Sequence, residues 1–222
     1  MRVSAKKNSQ NRAGKKHDRR NSFETRTPLL GYYLIVTDTK ETEKNYFEGL
    51  KKAIPDEIRD RIVIRVEKSK TTYDLVEHTI ELCGTTAQQR IPWIVFDRDQ
   101  VKDFDGIINK AVKNGINAGW SNICFEIWMY AYFGEMPVID SSVACCKRFE
   151  DKYEKVIGKK YQKNEDKIYS ILNEYGDFKR AYSIAEKRLK AAINDGVKPS
   201  DAVSVTTVHH LVKEILDKIE MQ

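Results

Sequence analysis

Two stretches of the sequence place acidic residues directly after a run of apolar residues. Asp38 and Glu43 follow the β-prone run 32–36, and Asp97 and Asp99 follow "WIVF". Neighbouring carboxylates repel one another, so this arrangement asks for a compensating cation. Mg²⁺ prefers oxygen ligands and bridges to substrate phosphates, so the pattern predicts a metal site for phosphoryl chemistry. The alternative is that these acids are solvated turn residues.

The D-x-D pair and a third acidic stretch refine this prediction. Asp97 and Asp99 are two residues apart, so an extended chain would point both side chains the same way and Arg98 away from them. Glu126 lies in the otherwise apolar run 123–129. An unpaired buried charge is costly, so Glu126 should face a partner, a metal or the mouth of a site.

Strands and helices alternate through the first part of the chain, which predicts a doubly wound, mostly parallel α/β sheet. In such sheets the functional crevice lies outside the carboxyl ends of the strands. Asp38 and Asp97 would therefore meet if their strands are neighbours. The predicted strands cover 32–37, 61–69, 91–100 and 116–120, and the predicted helices cover 41–53, 71–84, 103–114 and 124–134.

The pattern changes after Pro137, where apolar positions recur at helical spacing. We predict three parts: a flexible basic tail at 1–28, an α/β core at 29–137, and a helical cap at 138–222 packed on that core. The helices of this C-terminal extension are predicted at 141–157, 164–175, 177–194 and 207–220. His209 and His210 lie in the last one and are interpreted as helix-face residues.

The positive charge belongs to the tail. The chain carries a net charge of +6, and residues 1–27 hold nine Lys or Arg against two acids. Such a segment is attracted to polyanions, which predicts phosphate contacts from the tail; a solubilising extension is the alternative. The tail residues predicted to contact nucleic acid are Lys15, Lys16, Arg19 and Arg20, and Lys40 and Arg98 join them from the core.

The apolar stretches and the cysteines of the sequence indicate a cellular compartment. No stretch reaches the roughly 20 apolar residues needed to cross a bilayer, and no apolar signal-peptide core is present, so we expect a cytoplasmic protein without a membrane partner. The four cysteines show no C-x-x-C spacing and are predicted to be reduced, mostly buried thiols.

Four motifs in order resemble the RloB-like (AbiLii-type) family of bacterial phage-defence proteins. They are "LIVTDTKETEKNYFEGL", "WIVFDRDQ", "SNICFEIWMYAYF" and "TTVHHLV", and the resemblance covers roughly residues 30 to 220. The family is similar to Toprim domains, the metal-binding modules of primases, topoisomerases and OLD-type nucleases. The resemblance therefore implies a Toprim-like, mostly parallel sheet flanked by helices.

The resemblance also implies roles for individual residues. Asp38 matches the first Toprim acid, Asp97 and Asp99 match its D-x-D, and Glu43 matches the second acid of a "TE" pair used for metal in OLD-type nucleases. Glu126 matches the acid of a family "SNPCFE" block, which gives it an active-site role. Asp38 stands where the family pattern has Glu, and Thr39 and Lys40 stand where it has Gly and Glu.

The first functional hypothesis is a Mg²⁺- or Mn²⁺-dependent nuclease acting on RNA, such as tRNA, or on DNA in abortive infection. By resemblance, a partner AAA- or ABC-type ATPase encoded nearby controls it, and self-association is left open. Its catalytic residues would be Asp38, Glu43, Asp97, Asp99 and Glu126, and all of these except Glu126 would bind metal. The alternatives are a non-catalytic binding subunit with a drifted Toprim site, motivated by Asp38, Thr39 and Lys40, and a nucleotidyl-transferring activity.

Overall fold

Strands and helices alternate in the first half of the structure, and helices dominate the second half. The computed structural model describes residues 30–38, 41–85, 89–99 and 101–221. The elements are β1 (Gly31–Thr37), α1 (Thr42–Lys52), β2 (Ile62–Lys68), α2 (Leu75–Gly84), β3 (Ile91–Asp97), α3 (Phe104–Lys113), β4 (Asn117–Asn122), α4 (Glu126–Ala131), α5 (Ser142–Ile157), α6 (Ile168–Tyr175), α7 (Phe178–Asn194), β5 (Val205–Thr206) and α8 (Val208–Glu220).

The described strands form one five-stranded sheet in the order β2-β1-β3-β4-β5. β1 pairs in parallel with β2 and β3, and β3 pairs in parallel with β4. The predicted mostly parallel α/β fold is thereby confirmed. The condition for a shared site also holds, because β1 and β3 are neighbours and Thr37 lies opposite Val95.

Side-chain alternation on the strands creates a core on each face of the sheet. Tyr33 and Ile35 of β1 pack in a large core with residues of α1, α4, α5, α6 and α8. Leu34 and Val36 face the other way and pack against α2 and α3. Both faces of β1 are thus covered, as the continuous apolar run at this strand indicates. Each fully buried aliphatic side chain of this kind contributes about 1.5–3 kcal/mol to folding.

The C-terminal extension is mostly helical, with clear end signals. The Ser141 hydroxyl accepts a hydrogen bond from the Ala144 amide at the start of α5, and α5 ends at Gly158, whose φ of 77° is left-handed. Asp177 caps α7 in the same way, through the Arg180 amide. Among the described residues, no helix is both long enough and apolar enough to cross a membrane.

The extension also contributes a strand that the helical prediction did not contain. β5 pairs antiparallel with the end of β4, and the Ser121 and Thr206 hydroxyls lie 3.0 Å apart. Asn122 donates to the carbonyls of Pro199 and Ser200. Ser121 and Asn122 therefore bind the C-terminal extension to the sheet. The predicted division at residue 137 stays a prediction.

Candidate metal centre

A cavity of about 620 Å³ lies at the carboxyl end of β3. The first turns of α1 and α4 border it, α5 forms another wall, and the loop between α5 and α6 contributes Lys163. Among its described lining residues are six carboxylates and two lysines, so we call it the acidic cavity. Its lining residues are Glu41, Thr42, Glu43, Asp97, Asp99, Cys124, Glu126, Ser142, Val143, Cys146, Lys147, Glu150 and Lys163.

Asp97 is the acid at the base of this cavity, at the last position of β3. Its Oδ1 atom is buried and has no hydrogen-bond partner among the described residues. Burial raises the pKa of the Asp97 carboxyl well above its usual value, and repulsion from Glu43, Asp38 and Glu126 raises it further. The charged form of Asp97 therefore needs a cation that the described side chains do not supply.

The turn after β3 places Asp99 in the same cavity. The Arg98 and Asp99 amides donate to the carbonyls of Ser121 and Ile123, at 2.9 and 3.0 Å, so the turn is held against the end of β4. Asp99 lines the cavity, while the Arg98 guanidinium donates to its carbonyl at 3.1 Å. Asp97 and Asp99 thus lie at one site, and the described contacts of Arg98 are with the backbone of the turn.

Glu43 and Glu126 approach the cavity from α1 and α4. Their exposed fractions are only 2% and 3%, although both are acidic. The Lys163 ammonium lies 3.9 Å from the Glu126 carboxylate, and the pKa of Lys163 is raised mainly by that charge. The Thr42 hydroxyl donates to the Lys163 carbonyl at 3.4 Å, which fixes this loop over α1. Lys163 is thereby positioned at the cavity wall by residues far from it in sequence.

Asp38 lies at the same edge of the sheet but does not line the acidic cavity. By alternation along β1 it shares the face of Leu34 and Val36, and its Oδ2 accepts a hydrogen bond of 2.9 Å from Thr72, just before α2. Burial raises the pKa of Asp38 to about 6, while the Thr72 hydrogen bond acts in the opposite direction. The charge of Asp38 also repels the Asp97 carboxylate and contributes to the raised pKa of Asp97.

The remaining predicted contacts with nucleic acid lie outside the described residues. These are Lys40 in the core and Lys15, Lys16, Arg19 and Arg20 in the tail.

Sequence reasoning missed several residues of the cavity wall. Lys163 and Cys146 lie there, but neither belongs to a local motif, because the loop after α5 and the face of α5 reach the sheet only through tertiary packing. Cys124 was placed only in the general class of buried thiols. All four cysteines are free, and Cys124 and Cys145 are buried, as predicted.

The donor set of the acidic cavity fits a hard divalent cation. Four of the predicted carboxylates line it (Glu43, Asp97, Asp99 and Glu126), and Asp97 presents an unpartnered oxygen. Among the described residues, two groups of three His, Cys or Glu side chains have ligand atoms within 4.8 Å of one another. Neither group includes Asp97 or Asp99. Mg²⁺ is usually bound through one or two carboxylates and keeps several waters, so it does not require three such ligand atoms in one close group.

Comparison with models of protein families identifies the family of this chain. The sequence model of the RloB-like family matches residues 33–215. The chain belongs to the RloB-like family. This confirms the family resemblance drawn from the four motifs, while the Toprim likeness stays a prediction. Neither the curated proteins nor the solved structures contain a significant match to this RloB-like chain.

A second polar cluster of the RloB-like chain lies between α7 and α8, and of its residues His209 is buried, Glu186 is half-buried and His210 is exposed. We call Glu186, His209 and His210 the carboxylate–histidine cluster. The His209 and His210 Nε2 atoms lie 2.9 and 2.8 Å from one Glu186 oxygen, and Lys190 pairs with the other at 2.9 Å. Desolvation acts to raise the pKa of Glu186, but these hydrogen bonds outweigh it and lower the pKa to about 2. Burial lowers the pKa of His209 to about 4.

Proposed function

We propose that this RloB-like chain is a Mg²⁺- or Mn²⁺-dependent nuclease that cleaves phosphodiester bonds of RNA, such as tRNA, or of DNA in anti-phage abortive infection. The observation that carries the proposal is the buried, unpartnered Asp97 oxygen in a cavity lined by five other carboxylates. A buried charge without a partner is costly, so the arrangement favours an added cation. Membership of the RloB-like family supports the defence role. Control by a partner ATPase encoded nearby is part of the same proposal.

In this proposal the residues of the cavity have different roles. Asp97, Asp99 and Glu43 hold the cation, and Glu126 faces it from α4. Bound Mg²⁺ supplies polarisation of a phosphoryl oxygen and a lowered pKa for an attacking water. Lys163 at the cavity wall contacts a substrate phosphate, because its side chain is 56% exposed and its ion pair with Glu126 is long, at 3.9 Å.

The basic tail and Lys40 extend the phosphate contacts in the same proposal. They bring positive charge to a body that is otherwise near neutral. Association with nucleic acid through such contacts should weaken as salt concentration rises.

A second candidate function is a non-catalytic subunit that binds nucleic acid or a partner. The position of Asp38 favours it, since this carboxylate bonds Thr72 and lies outside the acidic cavity. In that case the cavity would bind a cation without cleaving a substrate. The two candidates differ in whether removal of the D-x-D pair abolishes protection.

The test is to express the chain with its genomic neighbours in bacteria and to challenge the cells with phage. Asp97→Ala/Asp99→Ala should lose protection, whereas the matched double variant of exposed aspartates, Asp195→Ala/Asp201→Ala, should keep it. Purified complexes should show the same contrast in Mg²⁺-dependent cleavage of tRNA or DNA. Protection by Asp97→Ala/Asp99→Ala equal to that of the wild type would contradict the nuclease proposal and leave the subunit function.

A further inference from the structure

Two thiols and a carboxylate meet on one wall of the acidic cavity. One ligand atom from each of Cys124, Glu126 and Cys146 lies within 4.8 Å of the other two. All three residues line the cavity. Cys124 and Glu126 are buried and Cys146 is half-buried, so the group is enclosed on the protein side and reachable from the cavity.

Different elements bring these three side chains together. Cys124 lies in the connection between β4 and α4, and Glu126 begins α4. Cys146 comes from the second turn of α5, a helix that starts at the cap formed by Ser141. The group is therefore set by the packing of α5 beside α4, and it forms only in the folded chain.

The chemistry of this donor set differs from that of the rest of the cavity. Thiolates are soft ligands that select Zn²⁺ over Mg²⁺, whereas carboxylates alone suit the hard cation. Zn²⁺ binds Cys sulfur and carboxylate oxygen in tetrahedral sites, and sites with three protein ligands leave a fourth position open. Two thiols and one carboxylate at a cavity wall match that ligand count.

The local charge also favours a cation. Asp97 and Glu150 line the same cavity, so the three ligands lie in a negative field. The described cation nearest to Glu126 is the Lys163 ammonium at 3.9 Å, a long and partly exposed ion pair. Because this pair is at the outer limit of ion-pair distance, a metal ion at Glu126 can take the place of Lys163 as the compensating cation.

We propose that Cys124, Glu126 and Cys146 form a Zn²⁺ site on the wall of the acidic cavity. Because Glu126 also faces the carboxylates of Glu43 and Asp97, a Zn²⁺ ion held there occupies part of the cavity and lowers its affinity for Mg²⁺. The binding of Zn²⁺ stands on the three ligands alone. Its inhibitory effect on Mg²⁺ binding rests on the proposed function.

The test is a titration of the reduced full-length chain with Co²⁺, followed by absorbance. Thiolate ligands give Co²⁺ a ligand-to-metal charge-transfer band that carboxylates do not give, and Zn²⁺ should remove that band by displacement. We expect the charge-transfer band to saturate at one Co²⁺ per chain. Cys146→Ser should weaken Co²⁺ binding at least about 10-fold and reduce the charge-transfer band.

Cys83→Ser is the matched control, because Cys83 is a half-buried thiol on α2 that does not line the acidic cavity. It should bind Co²⁺ as the wild type does. Cys146 is itself only half-buried, and a circular dichroism melt of Cys146→Ser checks that the variant folds. A wild-type titration without a charge-transfer band, or an equal band in folded Cys146→Ser, would overturn the Zn²⁺ site.

The same titration separates this proposal from the nuclease proposal. Asp97→Asn changes the D-x-D pair and leaves both thiols, so the charge-transfer band should persist in it. A band in the wild type with no response to Mg²⁺ would support the Zn²⁺ site and count against the proposed function. A Mg²⁺ response that Zn²⁺ does not diminish would overturn the competition between the two ions.

Discussion

The acidic cavity and the carboxylate–histidine cluster both gather ionisable side chains, but the central carboxylate of the cluster has hydrogen-bonding and cationic partners, whereas Asp97 of the cavity lies among other carboxylates. Glu186 accepts from His209 and His210 and pairs with Lys190, and its pKa is lowered to about 2. In the acidic cavity, Asp97 meets other carboxylates and its pKa is raised. A satisfied buried network stabilises a fold, whereas an unsatisfied one is destabilising until a ligand arrives.

The carboxylate–histidine cluster has a structural role, whereas the acidic cavity is suited to binding a ligand. The carboxylate–histidine cluster joins α7 to α8 and supplies the Glu186 carboxylate with partners, while the buried His209 Nδ1 has no hydrogen-bond partner among the described residues. The acidic cavity leaves a carboxylate oxygen without a described partner at the edge where parallel sheets place ligands.

Glu186→Ala should lower the free energy of unfolding by about 2–3 kcal/mol, because it leaves the fully buried His209 without its acceptor. Urea denaturation at neutral pH measures this change. Glu174→Ala, on the exposed surface of α6, is the control and should stay within about 0.5 kcal/mol of the wild type. Equal stability of the two variants would mean that the cluster is not a stabilising network.

The stability of the wild type should carry an acid-sensitive contribution from His209. Its folded pKa of about 4 lies below the unfolded value of 6.5, so this contribution is complete above pH 6.5 and is lost as the pH falls toward 4. His209→Gln removes the titrating group. The stability difference between wild type and variant should shrink by about 1–2 kcal/mol from pH 7 to pH 5, and an unchanged difference would contradict the assignment.

Asp97→Asn should act with the opposite sign and raise the free energy of unfolding by about 1 kcal/mol in the absence of divalent cations. The folded pKa of Asp97 is raised, so the wild type loses stability as the pH rises from the unfolded value of 3.8 through the folded value. The gain should therefore be present at pH 8 and absent at pH 4. The exposed change Asp60→Asn is the control, and a loss of stability in Asp97→Asn at pH 8 would argue against repulsion in the cavity.

Lys163→Ala should have the smallest effect, an increase of about 2-fold in Mg²⁺ affinity, because it removes one half-exposed positive charge near the site. Isothermal titration calorimetry measures the affinity. The exposed lysine variant Lys159→Ala should leave it unchanged. A decrease in Mg²⁺ affinity on removal of Lys163 would show that this lysine supports the site instead of competing with the ion.

Much of the fold could be predicted from periodicity, since apolar runs and helical stripes mark β1, β3 and α8. β5 has only two residues, too few for any periodic signal, and its pairing depends on the β4 edge. Strand-end acids were found because their signal is local. The face that Asp38 takes follows from alternation along β1. That the acidic cavity lies on the other face depends on where α1, α4 and α5 pack, which the sequence does not contain.

The parts of the two clusters that lie far apart in sequence could not be predicted for the same reason. Cys146 and Lys163 reach the acidic cavity through the packing of α5 and the loop after it. Glu186 on α7 contacts His209 on α8, and no local motif in either helix indicates this pairing. Local sequence patterns indicate the candidate acidic residues, whereas tertiary packing determines which of these residues line the same site.

We propose that the acidic cavity binds a divalent cation through Asp97. Thermal unfolding of the wild type and of Asp97→Asn during a Mg²⁺ titration at pH 7.5 tests it most directly. A site that binds only the folded chain should raise the wild-type melting temperature in a saturable way, with about 2.7 kcal/mol of stabilisation at 100 times Kd, and should leave Asp97→Asn unchanged. A wild type that responds to neither Mg²⁺ nor Mn²⁺, or an equal shift in Asp97→Asn, would contradict the claim.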